Sequence, residues 1–187
     1  MSQEIEIEYK NLLTRDEFDR LLQHLPFPST AKKQINYYFE TEDFVLAKNK
    51  CALRIREKNG KYVLTLKEPH EDGLLETHDE LSREEAVSWI QGTIIPKPNI
   101  ARQLKLKNIS LNELVYFGEL ATARRETEYE NVLIVLDYST YNGTEDFEFE
   151  LEAPTVSVGK KTFHSILQQF NIPERATPNK IERFFNH

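Results

Sequence analysis

The chain has 187 residues, 24 of them Lys or Arg and 31 Asp or Glu, for a formal charge of −7; 39% are apolar and 11% aromatic. That balance excludes a disordered chain, argues against general nucleic-acid binding, and suits one domain, residues 1–187, with a sizeable core. The single cysteine, Cys51, excludes an intrachain disulfide framework and a cysteine-cluster zinc site. No apolar run is long enough to cross a membrane, and the opening residues lack the apolar stretch of a secretory signal, so a cytoplasmic location is expected.

Taken in chain order, residues 4–10 alternate ionic side chains with Ile5, Ile7 and Tyr9, which predicts a strand. Thr14 to Glu17 reads as a capping box opening a helix whose stripe is Phe18, Leu21, Leu22 and Leu25. Strands follow at 36–41 and 52–58, and Asn59-Gly60 turns the latter into 62–67. A strand at 74–81 leads to a helix opened by Ser82 and ended by Gly92. Pro96 and Pro98 make 94–99 irregular, and a short helix opens at Ser110. Strands at 117–129 and 132–139 precede Asn142-Gly143, which turns into 146–152. A helix at 158–170 carries Phe163, Ile166, Leu167 and Phe170 on one face. The last helix is predicted to start at Thr177-Pro178, with Pro at the first helical position. Its Lys180 and Arg183 share a face. Eight strands joined mostly by short turns predict an antiparallel sheet.

The polar sides of these strands are ionic almost throughout. Glu4, Glu6, Glu8 and Lys10 share one side of the first strand, and Glu148, Glu150 and Glu152 one side of the last. Arg54 and Arg56 oppose Leu53 and Ile55; Thr65 and Lys67 oppose Leu64 and Leu66. Each segment alone is compatible with a solvated sheet face whose charges pair off. Together, with helices to cover the apolar faces, they predict a closed sheet with its ionic side inward. Eight strands is about the number whose interior can still hold a small ligand. Such an interior suits divalent cations on the carboxylates and a polyanion on the basic residues.

The segments E-I-E-Y-K at 6–10, N-Y-Y-F-E-T at 36–41, L-R-I-R at 53–56, L-T-L-K at 64–67, Arg124-Arg125, L-D at 136–137 and E-F-E-L-E at 148–152 occur in an order that resembles the CYTH domain, the triphosphate tunnel metalloenzymes. The likeness runs from Ile5 to about Phe185. It implies an α+β fold, an eight-stranded antiparallel β-barrel forming a tunnel with helices packed outside. It also implies hydrolysis of a small-molecule triphosphate, inorganic or organic such as thiamine triphosphate, with Mg²⁺ or Mn²⁺. The alternatives within the resemblance are a class IV-type adenylyl cyclase and a non-catalytic polyphosphate- or nucleotide-binding module. Carried over, it implies that Glu6, Glu8, Glu148 and Glu150 hold metal and that Glu6, Glu8, Lys10 and Asp137 serve catalysis. Lys10, Arg54, Arg56, Lys67, Arg125 or Arg124, and Lys180 would hold phosphate. The last strand has three carboxylates in phase, so its metal-binding pair is either Glu148/Glu150 or Glu150/Glu152. Adjacent Arg124 and Arg125 cannot both face one side.

Trp89 is expected in the core, and His24, His70, His78, His164 and His187 show no zinc-ligand spacing. His78 has the phase to share a side with Glu76 and Glu80. No phosphate-binding Gly-rich loop and no nucleophile elbow is present.

Overall fold

The computed structural model describes residues 2–187. The described residues form nine strands and six α-helices: β1 (Gln3–Glu6), β2 (Glu8–Leu13), α1 (Arg15–His24), β3 (Lys32–Thr41), α2 (Val45–Lys48), β4 (Ala52–Lys58), β5 (Lys61–His70), β6 (Gly73–Leu81), α3 (Arg83–Ile90), α4 (Pro98–Leu106), β7 (Leu114–Tyr129), β8 (Val132–Tyr141), β9 (Thr144–Glu152), α5 (Val156–Gln169) and α6 (Lys180–Phe185). The fold class is α+β, an antiparallel sheet with helices, as the alternation and caps predict. There is one strand more than expected, because Ile7 divides the first. β1 neighbours β6 and β2 pairs with β9, so the strand changes partner at that residue.

The chain divides into two compact units, one containing the residues through Ile5 and Gln34–Leu120, the other Glu6–Lys33 and Ala121–His187. In the first unit the strand order is β1-β6-β5-β4-β3-β7. Leu53, Ile55, Leu64 and Leu66 point one way and are covered by Ala86 and Trp89 of α3 and Ile100 and Leu104 of α4, all fully buried. Trp89 packs edge-on against Phe39 and donates its indole N–H to the Ile95 carbonyl, so it is a core residue. The helix α4 was not expected, and it starts inside the stretch read as irregular. Pro98 stands at its first turn, and Asp79 of β6 accepts from Asn99 Nδ2 and Ile100 N, both at 2.8 Å. A carboxylate from a distant strand thus supplies the cap that the local sequence lacks. The one-turn helix α2 was not expected either. Glu40 caps it, accepting from Leu46 N and Ala47 N at 2.9 Å.

In the second unit the order is β7-β8-β9-β2. Ile134, Leu136, Phe149 and Leu151 form the apolar side, covered by Phe18 and Leu21 of α1 and Phe163, Ile166 and Leu167 of α5. The Phe149 and Phe163 rings stack, with centroids 6.0 Å apart. Gly159 of α5 lies so close to β2 that an added Cβ would stand 2.5 Å from a Tyr9 ring carbon. The capping boxes at Thr14 and Ser82 form as read. The turns at Asn59-Gly60 and Asn142-Gly143 have positive φ at both residues, the geometry that matches strand twist in tight hairpins. The last helix starts later than expected. Asn179, not Thr177, precedes its first turn, and the Asn179 N–H donates to Glu182 Oε2 at 2.7 Å. Thr177 is engaged elsewhere, its hydroxyl accepting from Leu12 N at 2.9 Å.

Candidate functional site

Strand register sorts the charged residues of each unit. In the first, Tyr38 pairs with Arg54 and Asn36 with Arg56, while Arg54 pairs with Thr65 on the other flank. Lys67 pairs with Glu76 and Thr65 with His78. Alternation then puts Gln34, Asn36, Tyr38, Arg54, Arg56, Lys58, Thr65, Lys67, Glu76 and His78 on one side of this part of the sheet. Arg56 Nε donates to Asn36 Oδ1 at 2.9 Å, which fixes the guanidinium plane. Lys67 Nζ meets Glu76 Oε1 at 2.5 Å. His78 Nε2 lies 3.1 Å from Glu4 and 3.4 Å from Glu76, with Thr65 Oγ1 3.0 Å from Nδ1. The Arg54 Nε–H is buried without an acceptor. A buried guanidinium donor that no protein group satisfies is what an anionic ligand would complete.

In the second unit Lys10 pairs with Glu150 and Glu8 with Glu152; Asp137 pairs with Glu148 and with Arg124. Arg125 pairs with Leu136 of the core, so it has the opposite phase, and its guanidinium donates to the Ser29 carbonyl at 3.3 Å. Of the two adjacent arginines it is Arg124 that shares the acidic side. Its guanidinium forks onto Asp137 at 2.9 and 2.6 Å and reaches Glu150 at 2.6 Å. The Lys180 ammonium touches Asp137 at 2.9 Å and also Glu148 and Glu150. Arg183, one turn further along α6, lies 2.6 Å from Glu148 and 3.0 Å from Asp146. Asp137 and Glu148 are both 0% exposed, so these pairs replace hydration. Lys10 meets Glu8 at 2.7 Å and also donates to Asn179 Oδ1.

The ionisation of the acidic strand follows from who sits beside whom. Against the cost of burial, Lys180 and Arg124 hold Glu150 well below the usual carboxylate range. Burial pushes Glu148 up, opposed by Lys180 and reinforced by Glu150. Burial, then Glu6, Glu150 and Glu8, push Glu152 to about 7, with Arg124 opposing. Lys180 is held far above its ordinary range in spite of burial, because three carboxylates surround it. The carboxylates therefore form two sets. Asp137, Glu148 and Glu150 have oxygens within 4.8 Å of one another, but protein cations neutralise them. Glu152 instead stands where carboxylates repel one another. Carboxylate oxygens are the ligands that a hard divalent cation takes.

The site residues expected from the sequence, Arg125 excepted, thus fall in one of two sets. Arg54, Arg56 and Lys67 line the first unit's ionic side; Glu8, Lys10, Arg124, Asp137, Glu148, Glu150 and Lys180 gather in the second, with Glu6 acting on Glu152. Asp146 and Asn179 were given no role, and Arg183 was read only as sharing a face with Lys180. That shared face, three residues apart on one helix, was the signal that Arg183 would join Lys180.

An alternating ionic sheet with an E-x-E-x-K strand, an Arg-x-Arg strand and a closing acidic strand defines a class, and this chain belongs to it: the CYTH domain family matches residues 4–185. Among its relatives, a candidate triphosphatase of Bacillus subtilis (strain 168), YjbK, is 50% identical over 186 residues, covering 99% of this chain and 96% of that protein. The crystal structure of a candidate adenylate cyclase from Bacillus halodurans superposes with a TM-score of 0.95 at 42% identity, covering 99% of this chain and 100% of that one. HpAC1 of Hippeastrum, a candidate adenylyl cyclase described as having a dominant triphosphatase activity, has a TM-score of 0.76 at 26% identity, covering 97% and 95%.

Proposed function

We propose that this protein hydrolyses a triphosphate with the help of Mg²⁺ or Mn²⁺. The family, the triphosphatase relative at 50% identity and the triphosphatase activity described for HpAC1 support it. The metal half of the reading rests on the family and on the carboxylates of Glu6, Glu8 and Glu150 crowded around Glu152, whose pKa burial and those neighbours raise. Glu6, Glu8 and Glu152, with Glu150 beside them, are the residues that would hold the cation. When bound, it would withdraw charge from phosphate oxygens.

Phosphoryl transfer asks little covalent chemistry of a protein; it asks for a straightened triphosphate and compensated charge. Arg54, Arg56 and Lys67 hold phosphate oxygens in this reading. Asn36 sets the Arg56 fork, and the buried Arg54 Nε–H finds its acceptor in the ligand. Lys10 keeps Glu8 oriented. Asp137, Arg124 and Lys180 are positioning residues: their donors and oxygens are engaged with one another, and they fix where Glu150 and Glu148 stand. Arg125 takes no part.

The name carried by the Bacillus halodurans structure favours a second reading, cyclisation of ATP. Product analysis with Mg²⁺ and Mn²⁺ decides. Orthophosphate and pyrophosphate from inorganic triphosphate support the hydrolase. Cyclic AMP from ATP without hydrolysis of inorganic or thiamine triphosphate overturns it.

A further inference from the structure

Gln34 opens the ionic row of β3. It is 1% exposed, yet neither its Nε2 nor its Oε1 has a hydrogen-bond partner. Burying a primary amide unpaired costs folding free energy and returns nothing unless another group completes it. Its neighbour in the row shows the contrast. Asn36, two residues on, is also fully buried, but its Oδ1 accepts from Arg56 Nε. Gln34 pairs across the strands with Lys58, one step beyond the Asn36–Arg56 pair and two beyond Tyr38–Arg54. Each step of two residues is about 6.6 Å, so Gln34 stands one step past the arginine that Asn36 orients.

Resting on the triphosphatase reading, we propose that Gln34 is a further triphosphate-binding residue, whose Nε2 donates to an oxygen of the terminal phosphate at the end of the Arg54–Arg56 row. A primary amide offers a donor of fixed direction without adding charge. It therefore helps to place the end of the chain without increasing the electrostatic grip on every anion that enters. A site built to donate a hydrogen bond is also left with an orphaned donor when a ligand cannot accept it, which is how polar sites discriminate.

The test compares Gln34→Met, which keeps the volume and removes both polar atoms, with Gln34→Glu, which keeps the shape and adds a charge. For each, the thermal midpoint without ligand and KM for inorganic triphosphate with Mg²⁺ are measured. We expect Gln34→Met to melt higher than wild type, because a buried unpaired amide is gone. Its KM should rise about tenfold, the scale of one hydrogen bond to a charged group. Gln34→Glu should raise KM further. A Gln34→Met variant with wild-type KM overturns the proposal and leaves the hydrolase reading intact. So does one that melts lower than wild type, since the amide then has a structural task. If inorganic triphosphate neither shifts the wild-type melt nor is hydrolysed, the activity and this proposal fall together.

Discussion

In the second unit Lys180, Arg124 and Arg183 close on Asp137, Asp146, Glu148 and Glu150, and these buried charges answer one another within the protein. In the first unit the Arg54 Nε–H and both amide atoms of Gln34 are buried on the ionic side without an answer, whereas the second unit's unanswered donor, Arg125 Nε, lies on the opposite side. Both units are built from strands with the same alternation of ionic and apolar residues. The difference teaches that an ionic strand face is not by itself a binding site. Where cations from a neighbouring helix reach it, it becomes a rigid structural network; where buried donors are left over, it is prepared for a ligand. Glu152 lies at the border of these behaviours, since Arg124 eases its charge while Glu6 and Glu8 oppose it.

The largest expected effect separates the two units by stability. Lys180→Met removes a buried ammonium from three carboxylates and should cost about 3–5 kcal/mol in urea unfolding, the scale of breaking a buried ion pair. Arg54→Met should cost far less and weaken triphosphate binding instead. Equal losses from the two variants would dissolve the contrast.

A second expectation concerns pH. The Glu152 carboxyl of the folded protein titrates at about 7, above its ordinary value of 4.5. Between those values the folded state keeps a proton that the unfolded chain releases, so stability falls as pH rises through that window. Thermal midpoints of metal-free protein should therefore decline from about pH 5 to pH 7, and saturating Mg²⁺ should flatten the decline. Glu152→Gln should reduce it, leaving the share contributed by Glu148, which burial also pushes up.

Much of this was legible beforehand, and what was not has definite physical causes. The capping boxes at Thr14 and Ser82 and the Asn-Gly turns are local, so the sequence shows them directly. The start of α4 is not local, because its cap comes from Asp79, about twenty residues away. The choice between Arg124 and Arg125 needed strand register, which adjacent identical residues do not encode; pairing of Arg125 with Leu136 decided it. The alternation marked Glu148, Glu150 and Glu152 as equivalent. Only their neighbours distinguish them, since Lys180 and Arg183 arrive from α6, a helix whose start was misplaced by reading Pro178 as its first residue.

A third, smaller effect lies away from the ionic face. Glu17 joins the N-terminus of α1 to Arg175 at 2.8 and 3.0 Å. In spite of burial, hydrogen bonds from Arg175 and Thr14 lower its pKa. Its contribution is full above the ordinary value and is lost as pH falls through the lowered one. Glu17→Gln should cost about 1–3 kcal/mol at neutral pH and become closer to neutral in acid. The smallest effect belongs to Arg125→Ala, expected to stay within about 0.5 kcal/mol of wild type and to leave triphosphate turnover unchanged. A large loss of turnover there would show that the wrong arginine has been set aside.

The central claim, that the first unit's arginines serve phosphate and the acidic residues around Glu152 serve a cation, is tested most directly by titrating Mg²⁺ into turnover assays of Glu8→Gln and Arg54→Ala with inorganic triphosphate. Glu8→Gln should lose turnover by about 10²-fold or more and recover part of it as Mg²⁺ rises. Arg54→Ala should show a raised KM that added Mg²⁺ does not restore. Wild-type turnover and an unchanged Mg²⁺ requirement in Glu8→Gln would contradict the account.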